Sequence, residues 1–172
     1  NATLPENIKL QNSHPEYFDT KDDGSIVLIE DAEVWVTFVH EGAGYKNSLG
    51  YYTHPNNNPP AKKEDITDAT IIFPNVSYSG SGGMLASGNK VQLLYLDPQT
   101  KAYTNIFPAG TTVAWWFRSN GFSAGTSTSL SSGSYTFYSD SRFNPEQNVD
   151  LKKHNVLLRD DARQLLLIGF ED

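Results

Sequence analysis

Turn residues recur along this chain at intervals too short for helices, and that rhythm constrains the fold more than any other feature. Short runs rich in β-branched and aromatic residues lie between them: SIVLIE (25–30), EVWVTFV (33–39), LGYYTH (49–54), TIIFP (70–74), KVQLLYL (90–96), TTVAWWFR (111–118), YTFY (135–138), NVLLR (155–159) and QLLLIGF (164–170). Such runs fit strands, because branched and aromatic side chains pack well on a pleated surface. The separators, among them DDGS, GAG, HPNNNPP, SGSGG, LDPQTK and SSGS, supply left-handed backbone through Gly, Asn and Asp and a fixed φ through Pro. The pattern predicts an all-β chain, an antiparallel β-sandwich of jelly-roll type with long loops. At most one short helix is expected, near KKEDITDA (62–69). Two hairpins are predicted, one turning at Asp97 to Thr100 and one around Asp160 to Arg163. The nearly continuous apolar runs of the second predict a central strand pair covered on both faces. Successive strand residues face opposite ways, so Trp35 and one of Trp115 and Trp116 are expected in the core, with the other exposed or covered by a loop. The longest irregular stretches are 55–65 and 119–134.

Composition narrows the function classes. The chain has 172 residues, enough for one domain with its own core, expected to span 1–172 as a monomeric module of a larger chain. Its 13 basic and 20 acidic residues leave a net charge of −7, which opposes binding to nucleic acid or to an anionic membrane. There is no cysteine, so thiol nucleophiles and cysteine-ligated metals are excluded. No apolar run approaches the ~20 residues needed to insert across a bilayer. The opening NATLPENIKLQNS has no basic and apolar regions of a signal peptide, which fits a module taken from a longer protein.

The motifs point to binding more than to catalysis. The segment FVHEGAGYKNSLGYY (38–52) has the glycines of a phosphate loop, but Lys46 is followed by Asn47 and the next segment reads as strand. It reads as a tight turn with Glu41 at its rim. Glu41, Asn47 and nearby carbonyl oxygens are the hard ligands that calcium takes. In YSDSRFNPEQN (138–148), Asp140, Asn144 and Glu146 fit either cation ligands or an Asx-turn cluster that bonds its own backbone. FDTKDDGS (18–25) resembles a calcium-loop opening, yet Lys21 occupies a ligand position, and an Asp-Gly turn fits Asp23 and Gly24 better. The four histidines lack metal spacing and there is no G-x-S-x-G nucleophile elbow, so no enzyme is expected.

Taken in order, the blocks FVHEGAGYKNSLGYY, FPNVSYSGSGGMLASGNKVQL, FPAGTTVAWWF, YSDSRFNPE and KKHNVLLRDDARQLLLIGFED resemble a bacterial domain family long catalogued as of unknown function, found in large secreted and surface proteins. The resemblance covers roughly 34–172. Within that family the sequence is similar to the calcium-dependent peptide-binding domains of repeats-in-toxin (RTX) adhesins, which grip the free C-terminus of host-cell proteins. The resemblance implies bound Ca2+ of unstated number and adds Glu171 and Asp172 to Glu41 as metal ligands, with Asp140 and Asn144 as further ones. Members continue past GFED into a glycine-rich acidic stretch, so it also implies a calcium site that such a stretch completes.

The resulting expectation is a calcium-dependent, ligand-binding adhesin module at the bacterial cell surface, outside the cell, with peptide C-termini of host surface proteins as partners. The bare N–H groups of Ser79, Gly80, Ser81 and Gly82 suit anion capture. Arg142 suits a carboxylate. Tyr45, Tyr135 and Tyr138 offer flat amphipathic contact. The alternatives are a calcium-dependent carbohydrate-binding module that uses an exposed Trp, and a structural spacer.

Overall fold

The computed structural model describes residues 23–122 and 135–170. The described chain is all-β: eleven strands, with no helix beyond single 3-10 turns at Lys63–Asp65, Ser79–Ser81, Ser141–Phe143, Val149–Leu151 and Asp161–Arg163. The helix expected over 62–69 shrinks to the first of these turns.

The main sheet is antiparallel and built on β8 (Thr111–Arg118). One edge of β8 pairs along its whole length with β3 (Ser48–Pro55), which in turn pairs with β4 (Thr70–Phe73). The other edge is shared in tandem. β1 (Ile26–Val27) covers its start and β9 (Thr136–Tyr138) its end. Between them, Ser139 completes the ladder: its N–H donates to Trp115 O at 3.0 Å, and its hydroxyl accepts from Trp115 N at 3.1 Å.

Three two-stranded ribbons complete the described strands: β2 (Trp35–Thr37) with β5 (Lys90–Gln92), β6 (Tyr95–Leu96) with β7 (Tyr103–Thr104), and β10 (Asn155–Asp160) with β11 (Leu165–Phe170). Both predicted hairpins are present, as β6–β7 and β10–β11. Among the described residues these ribbons stand where a sandwich would have a second continuous sheet.

β8 is buried on both faces. Trp115 lies in the larger core with Phe38, Tyr51, Phe73, Leu93, Phe107 and Val113. Trp116 lies in a smaller core on the opposite face, with Tyr52, Ala114 and Phe143. Both indole N–H groups are satisfied, Trp115 by Gly24 O at 2.7 Å and Trp116 by Tyr51 O at 3.2 Å. The register places Gly50 opposite Trp116, and a Cβ at Gly50 would stand 2.1 Å from the indole ring and 2.4 Å from Thr70 O. The β3–β4 register shifts between Leu49 and Gly50. The Tyr51 hydroxyl ties the sheet to the next layer, donating to Leu94 O at 2.5 Å and accepting from Leu94 N at 3.2 Å.

Two expectations are corrected. Trp35, expected in the core, is 44% exposed, while Trp115 and Trp116 are both buried. Trp35 donates to Glu33 Oε2 at 3.1 Å and carries the Lys90 ammonium 4.2 Å above its ring. The β10–β11 pair is not central: Leu165 and Leu167 are exposed, and the ribbon packs through Val156, Ile168 and Phe170, the last stacked on Phe117 at 5.3 Å. A run of leucines without period does not say which face is covered, and here a single two-stranded ribbon has only one face against the core.

Gly50→Ala is therefore expected to cost more than ~3 kcal/mol or to prevent folding, because neither the indole nor the Thr70 carbonyl can give way cheaply. Gly44→Ala, with open space at its Cβ, is expected to change stability by less than ~0.5 kcal/mol. Trp115→Ala is expected to cost about 3–5 kcal/mol and Trp35→Ala about 1 kcal/mol. Urea melts of the four variants measure these differences.

Candidate functional site

The glycine turn after β2 is built around Tyr78. Phe38 is anchored by two backbone bonds, Phe38 N to Asn89 O and Gly88 N to Phe38 O, both 2.8 Å. The Tyr78 ring packs edge-on against Phe38 at 5.2 Å and beside His40 at 5.4 Å, and its hydroxyl donates to Val39 O at 3.2 Å. Glu41 is thereby held against the Tyr78 backbone, where Oε2 accepts from Tyr78 N at 3.4 Å. The other oxygen, Glu41 Oε1, is buried and has no hydrogen-bond partner among the described residues.

The loop opposite is equally tight. Tyr78 O accepts from Ser81 N at 2.9 Å and Gly83 N at 3.0 Å, and Ser79 N donates to Leu85 O at 3.1 Å. Gly83 is required here, since a Cβ would fall 1.9 Å from Ser77 O. Asn75 Nδ2 donates to Gly82 O at 3.2 Å, while Asn75 Oδ1 is buried without a partner. Two orphan acceptor oxygens, one carboxylate and one amide, thus flank the same loop. The Lys46 ammonium comes beside it, 3.4 Å from where a Cβ of Gly82 would stand, and offsets part of the local negative charge.

The expected residues divide between two corners. Asn47 belongs with Glu41: its Oδ1 accepts from Asn120 N at 2.9 Å and its carbonyl from Val76 N at 2.8 Å, which ties the Val76–Tyr78 stretch to the end of the sheet. Of the four residues expected to capture an anion, Ser79 and Ser81 already donate their N–H groups within the loop, and Gly80 faces open space. Tyr45 is exposed.

Asp140 and Asn144 sit after β9 and bond locally. Asp140 caps the 3-10 turn through Arg142 N at 3.0 Å and chelates the Arg142 guanidinium, with Nη2 to Oδ2 at 2.6 Å. That ion pair raises the Arg142 pKa and occupies part of the side chain expected to meet a ligand carboxylate. Asn144 Oδ1 accepts from Tyr138 N at 2.7 Å, and its Nδ2 donates to Tyr138 O at 3.0 Å and Lys152 O at 2.7 Å. Glu146 Oε1 faces His154 Nε2 at 3.0 Å, with that imidazole stacked on Phe137 at 3.9 Å. Tyr138 is half-buried between Tyr52 and Phe143, and Tyr135 is exposed at the start of β9. Glu171 and Asp172, like Asp19, lie outside the described residues. The Asp23-Gly24 turn forms as expected: Asp23 Oδ1 accepts from Ser25 N at 2.9 Å and Gly24 takes φ +78°.

Asn75 is the residue that sequence reading missed. It follows Pro74 in a segment that reads only as a strand exit, and its place at the Gly82 end of the loop depends on how the chain packs there. No group of three His, Asp or Glu side chains suited to a metal occurs among the described residues. A cation here would rest on mixed carboxylate, amide and carbonyl oxygens.

Asn144→Ala is expected to destabilise the fold by about 2–4 kcal/mol, because it strands the Tyr138 N–H and two carbonyls. Asp140→Asn, whose partner is largely exposed, is expected to cost no more than about 1 kcal/mol. Thermal melts of the two variants check the order.

Comparison with known proteins is consistent with the β8-to-β11 part of the sequence reading. No curated protein and no solved structure matches the chain. Residues 107–172 match the model of a family described as a domain of unknown function (DUF4114); the match begins at Phe107 and leaves the Glu41 and Asn75 loops outside it.

Proposed function

We propose that the chain is a calcium-ordered, non-enzymatic binding module of a large bacterial surface protein, and that it holds the C-terminal peptide of a host surface protein. The observation that carries this reading is the pair of buried, unpartnered acceptor oxygens, Glu41 Oε1 and Asn75 Oδ1, on either side of the Tyr78–Gly83 loop. A buried acceptor without a donor is costly. A hard cation removes that cost for several oxygens at once, and calcium tolerates an irregular set of carboxylate, amide and carbonyl ligands. Glu41 and Asn75 would hold the ion, with carbonyl oxygens of the loop and, outside the described residues, Glu171 and Asp172. The ion would supply a fixed positive charge to which a peptide carboxylate can bind.

The peptide reading comes from the resemblance of the HEGAGYKNSLGYY and GFED blocks to peptide-binding adhesin domains. The loop chemistry supports it in one respect. Gly44 and Gly80 both face open space, so a backbone ligand can approach the turn closely there.

Calcium is expected to raise the melting temperature over EDTA by roughly 5–10 °C when present at about a hundred times its Kd. Magnesium is expected to do less, since it dehydrates reluctantly. Glu41→Gln is expected to weaken calcium binding at least about tenfold in calorimetric titration, and Asp23→Asn to leave it unchanged. A peptide with a free C-terminus is expected to bind roughly 30- to 1,000-fold tighter than its amidated form in fluorescence polarisation. Equal melts in EDTA and calcium would remove the metal. Equal affinity for both peptide forms would remove C-terminal capture and leave the metal standing.

A further inference from the structure

The second face of the main sheet is half core and half cleft. Trp116, Ala114 and Phe143 fill the part toward β9. The part toward β1 stays open as a cleft of about 350 Å³, at the small end of the usual range for small-molecule sites. Ser25 and Val27 come from the β1 side, Tyr52 and His54 from β3, and Asp140 and Arg142 form the wall after β9. Tyr52 is near the middle of β3, whose beginning at Ser48 adjoins the Glu41 corner, so the cleft lies toward the opposite end of the sheet.

Several polar groups of the cleft have no partner among the described residues. Ser25 is 8% exposed and its hydroxyl is buried without a hydrogen bond. The Tyr52 hydroxyl bonds to none of the described residues, and burial, then the Asp140 and Asp23 carboxylates, hold it protonated at any working pH. It is therefore a permanent donor. Asp23 has one oxygen engaged by Ser25 N and the other available as an acceptor. Arg142 binds Asp140 and Pro60 O through Nε and Nη2, leaving Nη1 without an acceptor among the described residues.

We propose that this cleft binds a neutral saccharide. An anion would meet two carboxylates, with the guanidinium already neutralised by Asp140. An ammonium group would offer only donors and leave the Tyr52 and Arg142 donors unmatched. Sugar hydroxyls each donate and accept, and so can match Tyr52, Ser25, Asp23 and Arg142 together. The site is independent of the calcium corner and stands whether or not that reading survives.

The test is chemical-shift mapping of the labelled protein in calcium, titrated separately with D-glucose, D-galactose, D-mannose, L-fucose and N-acetyl-D-glucosamine. Ethylamine and acetate serve as charged probes. At least one sugar is expected to bind in the millimolar range and to shift Ser25, Tyr52 and His54. Tyr52→Phe, which keeps the buried ring, and Ser25→Ala are each expected to weaken that sugar roughly three- to tenfold. Circular dichroism establishes that both variants are folded, and Asp23→Asn supplies a third, surface-side variant with the same expectation. The proposal is overturned if no sugar shifts the cleft, if the variants bind the sugar as the parent does, if ethylamine or acetate binds there more tightly, or if the sugar is displaced by a free-acid peptide bound at the calcium corner.

Discussion

Two neighbouring tryptophans on one strand point to opposite faces of a sheet, so both can be buried only if the sheet is covered twice. Trp115 and Trp116 impose that condition here, and much of the architecture follows from it. On the Trp115 face the cover is large and composite, drawn from Phe38, Leu93 and Phe107, which follow ribbon strands, and from Val36, Val91 and Tyr95 within them. On the Trp116 face it is small, closed by Phe143 from a single 3-10 turn and by Ile66 and Ile71. The indole also dictates the strand beside it, since only a residue without Cβ fits opposite Trp116, and Gly50 stands there. The cover on the second face stops at Phe143, and the cleft beside Tyr52 begins where it ends.

Most strands were legible because alternation and turn chemistry are local. TTVAWWFR is a strand over its whole predicted length, and both hairpins turn where Asp97-Pro98 and Asp160 to Arg163 indicate. The misreadings share one cause. Whether Trp35 is buried depends on what lies across from it, and across from it is Gln92 on an isolated ribbon. Whether the leucines of β11 are covered depends on how many strands join that ribbon, and among the described residues only β10 does. Neither fact is written in the residues themselves. The same holds for the sites. The Glu41 turn was visible as a carboxylate beside bare backbone, but Asn75 meets the Tyr78–Gly83 loop, at Gly82, only through loop packing. The cleft was invisible because Ser25, Tyr52 and Asp140 meet only through the tandem pairing of β1 and β9 on β8.

Some residues that looked like ligands turned out to be engaged elsewhere. Asn144 bridges Tyr138 and Lys152 with both ends of its amide, and Asp140 is chelated to Arg142. A polar residue in an irregular segment must satisfy its own backbone before it can serve a ligand. The informative atoms are therefore the ones left over. Glu41 Oε1 and Asn75 Oδ1 are acceptors alone, which suits a cation. The Ser25 and Tyr52 hydroxyls can also donate, which suits a hydroxylated ligand. That difference in chemistry is the ground for proposing a cation at the first pair and a saccharide at the second, while Glu146 Oε2, also buried and unbonded among the described residues, sits beside His154.

The family match spans β8 to β11, and this segment cannot make the sheet by itself. β8 takes β3 along one edge and β1 on part of the other, and both come from before the matched region. Without them β8 would present bare backbone donors and acceptors along most of its length, while Trp115 would lose the Gly24 carbonyl and Trp116 the Tyr51 carbonyl. The matched segment thus supplies the axis, and the preceding residues close the fold around it. Those residues also carry Glu41, Asn75, Ser25 and Tyr52, so the proposed cation corner lies outside the matched segment, whereas the cleft draws its walls from both parts, with Thr112, Asp140 and Arg142 from the matched one.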